Sequence, residues 1–112
     1  MHELALCRSI TGIVERARDG RAVSLVSLDV GELRQVVPET LTHCWDVAIR
    51  GTALAGSRLQ VTLIPAVIEC QKCGNSTQLE DVPMMVCPNC GSIDTVVVSG
   101  EEFLVRSIDV KE

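Results

Sequence analysis

The sequence predicts an α+β fold: a helix–strand–helix–strand unit, interrupted by a four-cysteine ribbon and finished by one more strand. Apolar residues recur at three- and four-residue steps in two segments and in strand-like runs in three others. Between the last two of those runs stand two matching knuckles, Cys70-Gln71-Lys72-Cys73-Gly74 and Cys87-Pro88-Asn89-Cys90-Gly91.

The first helix begins almost at the N-terminus. Leu6, Cys7, Ile10, Ile13, Val14 and Ala17 form one apolar stripe, and Gly20 is its stop. Ala22 to Val30 reads as a strand closed by Gly31, with Val26, Leu28 and Val30 on one face and Val23, Leu25 and Asp29 on the other. Pro38 suits the first helical position of a second helix, and Glu39 favours its positive N-terminus. That helix carries Leu41, Cys44, Trp45, Ala48 and Ile49 and is ended by Gly51. Leu59, Val61 and Leu63 alternate with Arg58, Gln60 and Thr62 in a half-buried strand stopped by Pro65. A last strand, Phe103 to Val110, has Leu104, Ile108 and Val110 on one face. It is expected to pair back onto the earlier sheet, because a lone strand leaves its backbone groups unsatisfied. Residues 1–65 and 99–112 therefore read as one domain, and 66–98 as an insertion.

Two Cys-x-x-Cys pairs separated by thirteen residues can wrap one tetrahedral ion with four thiolates, Cys70, Cys73, Cys87 and Cys90. The glycine after each pair allows the tight turn that brings backbone N–H groups to sulfur. Four cysteines close the coordination shell and leave no open position, so the site reads as structural, with zinc as its occupant. Iron in an all-sulfur tetrahedron is the minority alternative. Rubredoxin-type iron centres usually sit among aromatics. The chain has one Trp and one Phe, neither between Cys70 and Cys90. Disulfides are the other alternative, and nothing in the sequence suggests export. No stretch reads as a signal peptide, and no apolar run approaches the roughly 18 residues that span a membrane. Six cysteines without an export signal point to a reducing cytoplasm.

The net charge is −5 and 46% of residues are hydrophobic. That supports a core and argues against a nucleic-acid module, whose affinity comes from clustered Lys and Arg. Between Glu69 and Asp94 the only cation is Lys72. Gly51 to Gly56 lacks the lysine of a phosphate-binding loop, and no nucleophile–base–orienter set is present. The chain does not read as an enzyme.

A second metal site is legible at Met1-His2-Glu3. The free α-amine, the deprotonated His2 amide and the His2 imidazole can form fused chelate rings, with the Glu3 backbone nitrogen, its side chain or a donor from elsewhere completing a square plane. Nitrogen-rich square-planar sites favour Ni(II) or Cu(II). His2 is one of only two histidines. Its helix begins directly after, which holds the triplet at a rigid element. Cys7 and Cys44 lie on apolar stripes and read as packing residues rather than ligands. His43 reads as a helix residue at or near the surface.

Together these pieces resemble the HypA/HybF family of hydrogenase nickel-incorporation proteins. The resemblance rests on Met1-His2-Glu3-Leu4, Gly31-Glu32-Leu33, Val37-Pro38-Glu39, Gly51-Thr52, the four ribbon cysteines, Gly100-Glu101 and Val105-Arg106-Ser107-Ile108-Asp109-Val110. It implies a nickel metallochaperone with two helices on a three-stranded antiparallel sheet and an inserted zinc domain. It implies that Met1, His2 and Glu3 bind Ni(II), that the four cysteines bind structural zinc, and that the partners are a HypB-type GTPase and the [NiFe]-hydrogenase large-subunit precursor. Some relatives also serve urease maturation. Monomer and homodimer both remain open. Some relatives recruit a further histidine near the ribbon, and this chain has none there. Glu39, Thr40 and His43 are candidate outside ligands by type alone. The first helix, next to the triplet, is the expected GTPase-binding surface. The competing class is a zinc-ribbon protein–protein adaptor without nickel function. A zinc hydrolase would need an open coordination position and a nearby base, which four thiolates do not supply.

Overall fold

The computed structural model describes residues 3–79 and 85–111. In order these form α1 (Glu3–Ala17), β1 (Val23–Gly31), a 3-10 turn (Glu32–Arg34), α2 (Pro38–Ala48), β2 (Arg58–Ile64), β3 (Val67–Cys70), β4 (Ser76–Gln78), β5 (Thr95–Ser99) and β6 (Phe103–Val110). Two three-stranded antiparallel sheets result, ordered β2-β1-β6 and β4-β3-β5. The chain divides into two compact units. The first comprises Met1–Asp29, Val36–Thr62 and Phe103–Glu112, and the second comprises Val30–Gln35 and Leu63–Glu102.

In the first unit β6 pairs with β1, as the sequence leads one to expect. The Lys111 N–H donates to the Ala22 carbonyl at 2.7 Å, and the Ser24 hydroxyl donates to the Asp109 carbonyl at 3.1 Å. Residue numbers rise on one strand as they fall on the other, so the two run antiparallel. Val26 and Leu28 are fully buried on one face of β1. The other face carries Asp29, which Arg106 of β6 approaches at 3.4 Å. Leu104, Ile108 and Val110 share Arg106's parity. Leu104 is 55% exposed, while Ile108 and Val110 are half-buried.

The apolar stripe of α1 is narrower than its periodicity implies. Cys7, Ile10 and Val14 are completely buried, but Ile13 is 40% exposed and Ala17 is exposed. One seam, at i, i+3 and i+7, suffices for packing on α2, and Ile13 lies on its flank. Asp19 and Gly20 then take positive φ, of 49° and 76°, and stop the helix. Pro38 occupies the first turn of α2, with Glu39 beside it. Trp45 is fully buried on α2, and its indole N–H donates to the Ser57 hydroxyl at 3.1 Å. Ser57, itself 3% exposed, donates onward to the Leu54 carbonyl at 2.7 Å. A bulky aromatic with one polar atom is thus buried at no unsatisfied cost.

The second unit has a small core of Ala66, Ile68 and Leu79, packed by Leu33 and Val97. β3 is its central strand, with Ile68 opposite Thr77 of β4 and opposite Val97 of β5. Two glycines allow the backbone to close around it. A Cβ on Gly31 would fall 1.9 Å from the Gly100 carbonyl oxygen, and one on Gly100, at φ 108°, would fall 2.6 Å from the Ala66 Cα. The Leu33 N–H reaches the Gly100 carbonyl at 2.9 Å, and a Glu32 carboxylate oxygen accepts the Ala66 N–H at 3.0 Å. The Gly31-Glu32-Leu33 and Gly100-Glu101 segments therefore meet around Ala66 because only glycine permits so close an approach.

Ser57→Ala is expected to destabilise the chain by about 1–3 kcal/mol, because it strands a buried indole N–H. Chemical denaturation followed by Trp45 fluorescence measures it, and Ser57→Thr is the control that keeps the acceptor.

Candidate metal centre

The four cysteines come together. Their Sγ atoms all lie within 4.8 Å of one another. Cys70 and Cys90 approach to 3.6 Å, as do Cys73 and Cys87. A tetrahedral ion with Zn–S bonds of about 2.3 Å requires sulfur–sulfur edges of about 3.8 Å, so this cluster fits one. A disulfide requires about 2.05 Å, and all six cysteines are free. The disulfide alternative is therefore set aside.

The two knuckles are built alike. In the first, the Cys70 N–H donates to the Asn75 carbonyl at 2.9 Å and the Gly74 N–H donates back to Cys70 at 2.9 Å. In the second, Cys87 donates to Ser92 at 2.9 Å and Gly91 to Cys87 at 2.8 Å. Gly74 and Gly91 have φ of 76° and 75°, the left-handed conformation each turn requires. Cys70 is the last residue of β3, so the strand aims the first knuckle directly. The Gln71 N–H, bonded to the Asp94 carbonyl at 2.8 Å, ties that knuckle to the chain leaving the second one. Within each knuckle one cysteine is buried (Cys70, Cys87) and one is exposed (Cys73, Cys90).

The surroundings favour thiolate unevenly. N–H groups of Cys73 and Lys72 point at the Cys70 sulfur, at 3.5 and 3.4 Å, and hold its thiol below the ordinary value. Cys73 falls to about 6, chiefly because the Asn89 side-chain amide donates to its sulfur at 3.6 Å, with the Asn75 N–H adding to the effect. Cys90 goes the other way, to about 12: the Ser92 N–H favours its thiolate, but Cys70, burial and the remaining two cysteines outweigh it. Four thiolates cannot share this volume unaided. A dication is the counter-charge that lets the last of them ionise.

The N-terminal candidates are only partly in view. Glu3 opens α1 and is half-buried, while Met1 and His2 lie outside the described residues. Glu39, Thr40 and His43 are all exposed on α2. Cys7 is buried, with its thiol directed at the Leu41 carbonyl at 3.6 Å. Its pKa is pushed up to about 11 by burial first, then by Cys44 and Glu3. A thiol so disposed is a packing group, not a ready ligand. Sequence reasoning missed Asn89, whose role was signalled only by its place inside the second Cys-x-x-Cys.

A family model described as hydrogenase/urease nickel incorporation, metallochaperone, HypA, matches residues 1–110. The chain belongs to the HypA family. The hydrogenase maturation factor HypA of Trichormus variabilis is 36% identical over 112 residues, covering 100% of this chain and 97% of that protein. The HypA of Geobacter metallireducens is 36% identical over 111 residues, covering 99% of this chain and 100% of its own length. The solution structure of the Ni metallochaperone HypA from Helicobacter pylori superimposes with a TM-score of 0.69, at 17% identity, over 98% of this chain and 97% of that one. That likeness carries the fold. The chain is thus a member of a metallochaperone family, with a four-cysteine cluster able to hold a metal ion. No helix among the described residues is long and apolar enough to cross a membrane.

Because Cys73 is already largely thiolate at neutral pH and Cys90 is not, metal uptake at pH 7 is expected to release fewer than four protons per ion. The number should rise as the pH falls through 6. Calorimetry of metal-free protein in buffers of different ionisation enthalpy counts them, and four protons released at pH 7 would contradict this ordering.

Proposed function

We propose that the chain is a nickel metallochaperone that binds Ni(II) at its N-terminus and delivers it to the [NiFe]-hydrogenase large-subunit precursor. The family match over residues 1–110 carries this reading, with Met1 and His2 preceding α1 in sequence and Glu3 opening it. The ligands on this reading are the Met1 α-amine, the amide and imidazole nitrogens of His2, and the Glu3 backbone nitrogen. The first N–H groups of a helix have no intrahelical partner, so the Glu3 amide is free to be deprotonated by a metal. A helix N-terminus repels a cation, and the Glu3 carboxylate in the first turn offsets that. The site is made mostly of backbone nitrogen, so moving a few atoms dismantles it. That suits a protein whose task is release.

The same reading assigns zinc to Cys70, Cys73, Cys87 and Cys90. The ion's contribution is folding energy for a small unit, not catalysis. The partners are a HypB-type GTPase, met through the face of α1 near the triplet, and the precursor subunit, with urease maturation factors as further clients. The chain would work in the cytoplasm as a monomer or homodimer.

Nickel must displace protons from the amine, amide and imidazole. Affinity should therefore fall as the pH drops below the ordinary histidine value of about 6.5. His2→Ala is expected to abolish specific nickel binding while the bound zinc and the fold survive. Nickel titration of untagged, zinc-loaded protein beside this variant, followed by the absorption of square-planar Ni(II), decides it. Unchanged nickel affinity in the variant would sink the assignment.

A further inference from the structure

The chain's charge is unevenly divided. The second unit holds two cations, Arg34 and Lys72, against seven carboxylates, so the whole net charge of −5 belongs to it and the first unit is neutral. Within that acidic unit the edge strand β5 carries one bulge, at Val98, where its pairing with β3 slips by a residue, but none of the proline or basic residues that guard other edges. The sheet order β4-β3-β5 leaves the far side of β5 without a strand among the described residues. β5 reads Thr-Val-Val-Val-Ser, and no Pro, Lys or Arg lies between Ile93 and Gly100. Edge strands normally carry such residues to prevent pairing with another chain. The opposite edge, β4, is short and polar, and the edge strands of the other sheet carry Arg58 and Arg106.

β5 also displays apolar surface beside this edge. Val97 packs on the small core, which turns Val96 and Val98 outward, where they are 45% and 52% exposed. Ile93, just before the strand, is 82% exposed. At the other end of β5 lies a pocket of about 290 Å³ lined by Val97, Val98, Ser99, Glu101 and Glu102. Its lining combines two valines with two carboxylates. Glu102 is held in place by accepting the Gly100 N–H at 2.7 Å. An aliphatic stem ending in a cation matches such a pocket, because Lys and Arg lay their methylenes on apolar surface and keep the charge in polar surroundings.

We propose that the edge of β5, which pairs with no other strand among the described residues, and the acidic pocket at its end take up an extended segment of a partner protein as an added antiparallel strand. The segment is apolar at alternate positions and carries a Lys or Arg at its N-terminal end. Strand addition gives affinity through main-chain hydrogen bonds, and alternate side chains give specificity. In an antiparallel pair, the N-terminal end of the added strand lies beside the C-terminal end of β5, where Glu101 and Glu102 stand. The surface does not involve the N-terminal triplet, so the inference is independent of nickel binding and survives or fails separately from it.

The test uses the full chain, metal-loaded and labelled with nitrogen-15. The probe is a capped synthetic peptide, acetyl-Lys-Val-Thr-Val-Thr-Val-amide. Expected are amide shifts at Thr95–Ser99, Glu101 and Glu102. Affinity is expected to fall at least about tenfold when the peptide's Lys is replaced by Glu, and similarly for Val98→Lys protein. Val98 is exposed, so that variant keeps its fold and metal. The changed peptide tests the claim on unaltered protein. Absence of shifts at Thr95–Ser99 with millimolar peptide, shifts confined to other residues, or equal binding of the Lys and Glu peptides would each overturn the proposal.

Discussion

Four sulfur atoms held within one ion's coordination sphere are the constraint on which the second unit depends. Its apolar core amounts to Ala66, Ile68 and Leu79 with two half-buried neighbours, too little to order the residues of Val30–Gln35 and Leu63–Glu102 against their conformational entropy. The cluster supplies what the core lacks. β3 runs straight into Cys70, and the Gln71 to Asp94 hydrogen bond links the knuckles across the chain. Sheet and cluster are therefore one construction. The polypeptide's own N–H groups and the Asn89 amide favour the thiolates of Cys70 and Cys73, while the neighbouring cysteines hold the Cys90 thiol up, so a dication is the partner that a set of four thiolates calls for.

On the proposed function, the two metal chemistries differ in kind. Thiolates around a closed tetrahedron suit a soft or borderline ion that stays. An amine, an amide and an imidazole at a chain terminus suit an ion that is handed on. The charge distribution follows the same division. A neutral first unit carries the N-terminal triplet, and an acidic second unit carries the four cysteines and the outer edge of β5.

Long-period features were legible in the sequence, and non-local ones were not. Both helices, β1, β2 and β6 announce themselves through periodicity, and each is found within one or two residues of its expected place. The knuckles announce themselves by spacing, and the cluster geometry follows. β3, β4 and β5 do not, because strands of three to five residues are too short for alternation to register. The crossing of Gly31 and Gly100 at Ala66 joins segments far apart in sequence. Isolated glycines announce freedom, not the neighbour that requires it. Ser57 gave no signal either, since a serine before a strand is ordinarily exposed, and only the burial of Trp45 makes it a core residue. Ile13 and Ala17 fit the periodicity of α1 yet face solvent, because the stripe marks what is able to be buried and the width of the partner decides what is.

On the proposed function, one chain holds two metals by two unlike sets of ligands. Native mass spectrometry of zinc-loaded, untagged protein, titrated with one equivalent of Ni(II), tests it most directly. The account predicts a species carrying one zinc and one nickel per chain, with nickel lost first on acidification. Nickel that enters only by displacing zinc from the four cysteines would contradict it.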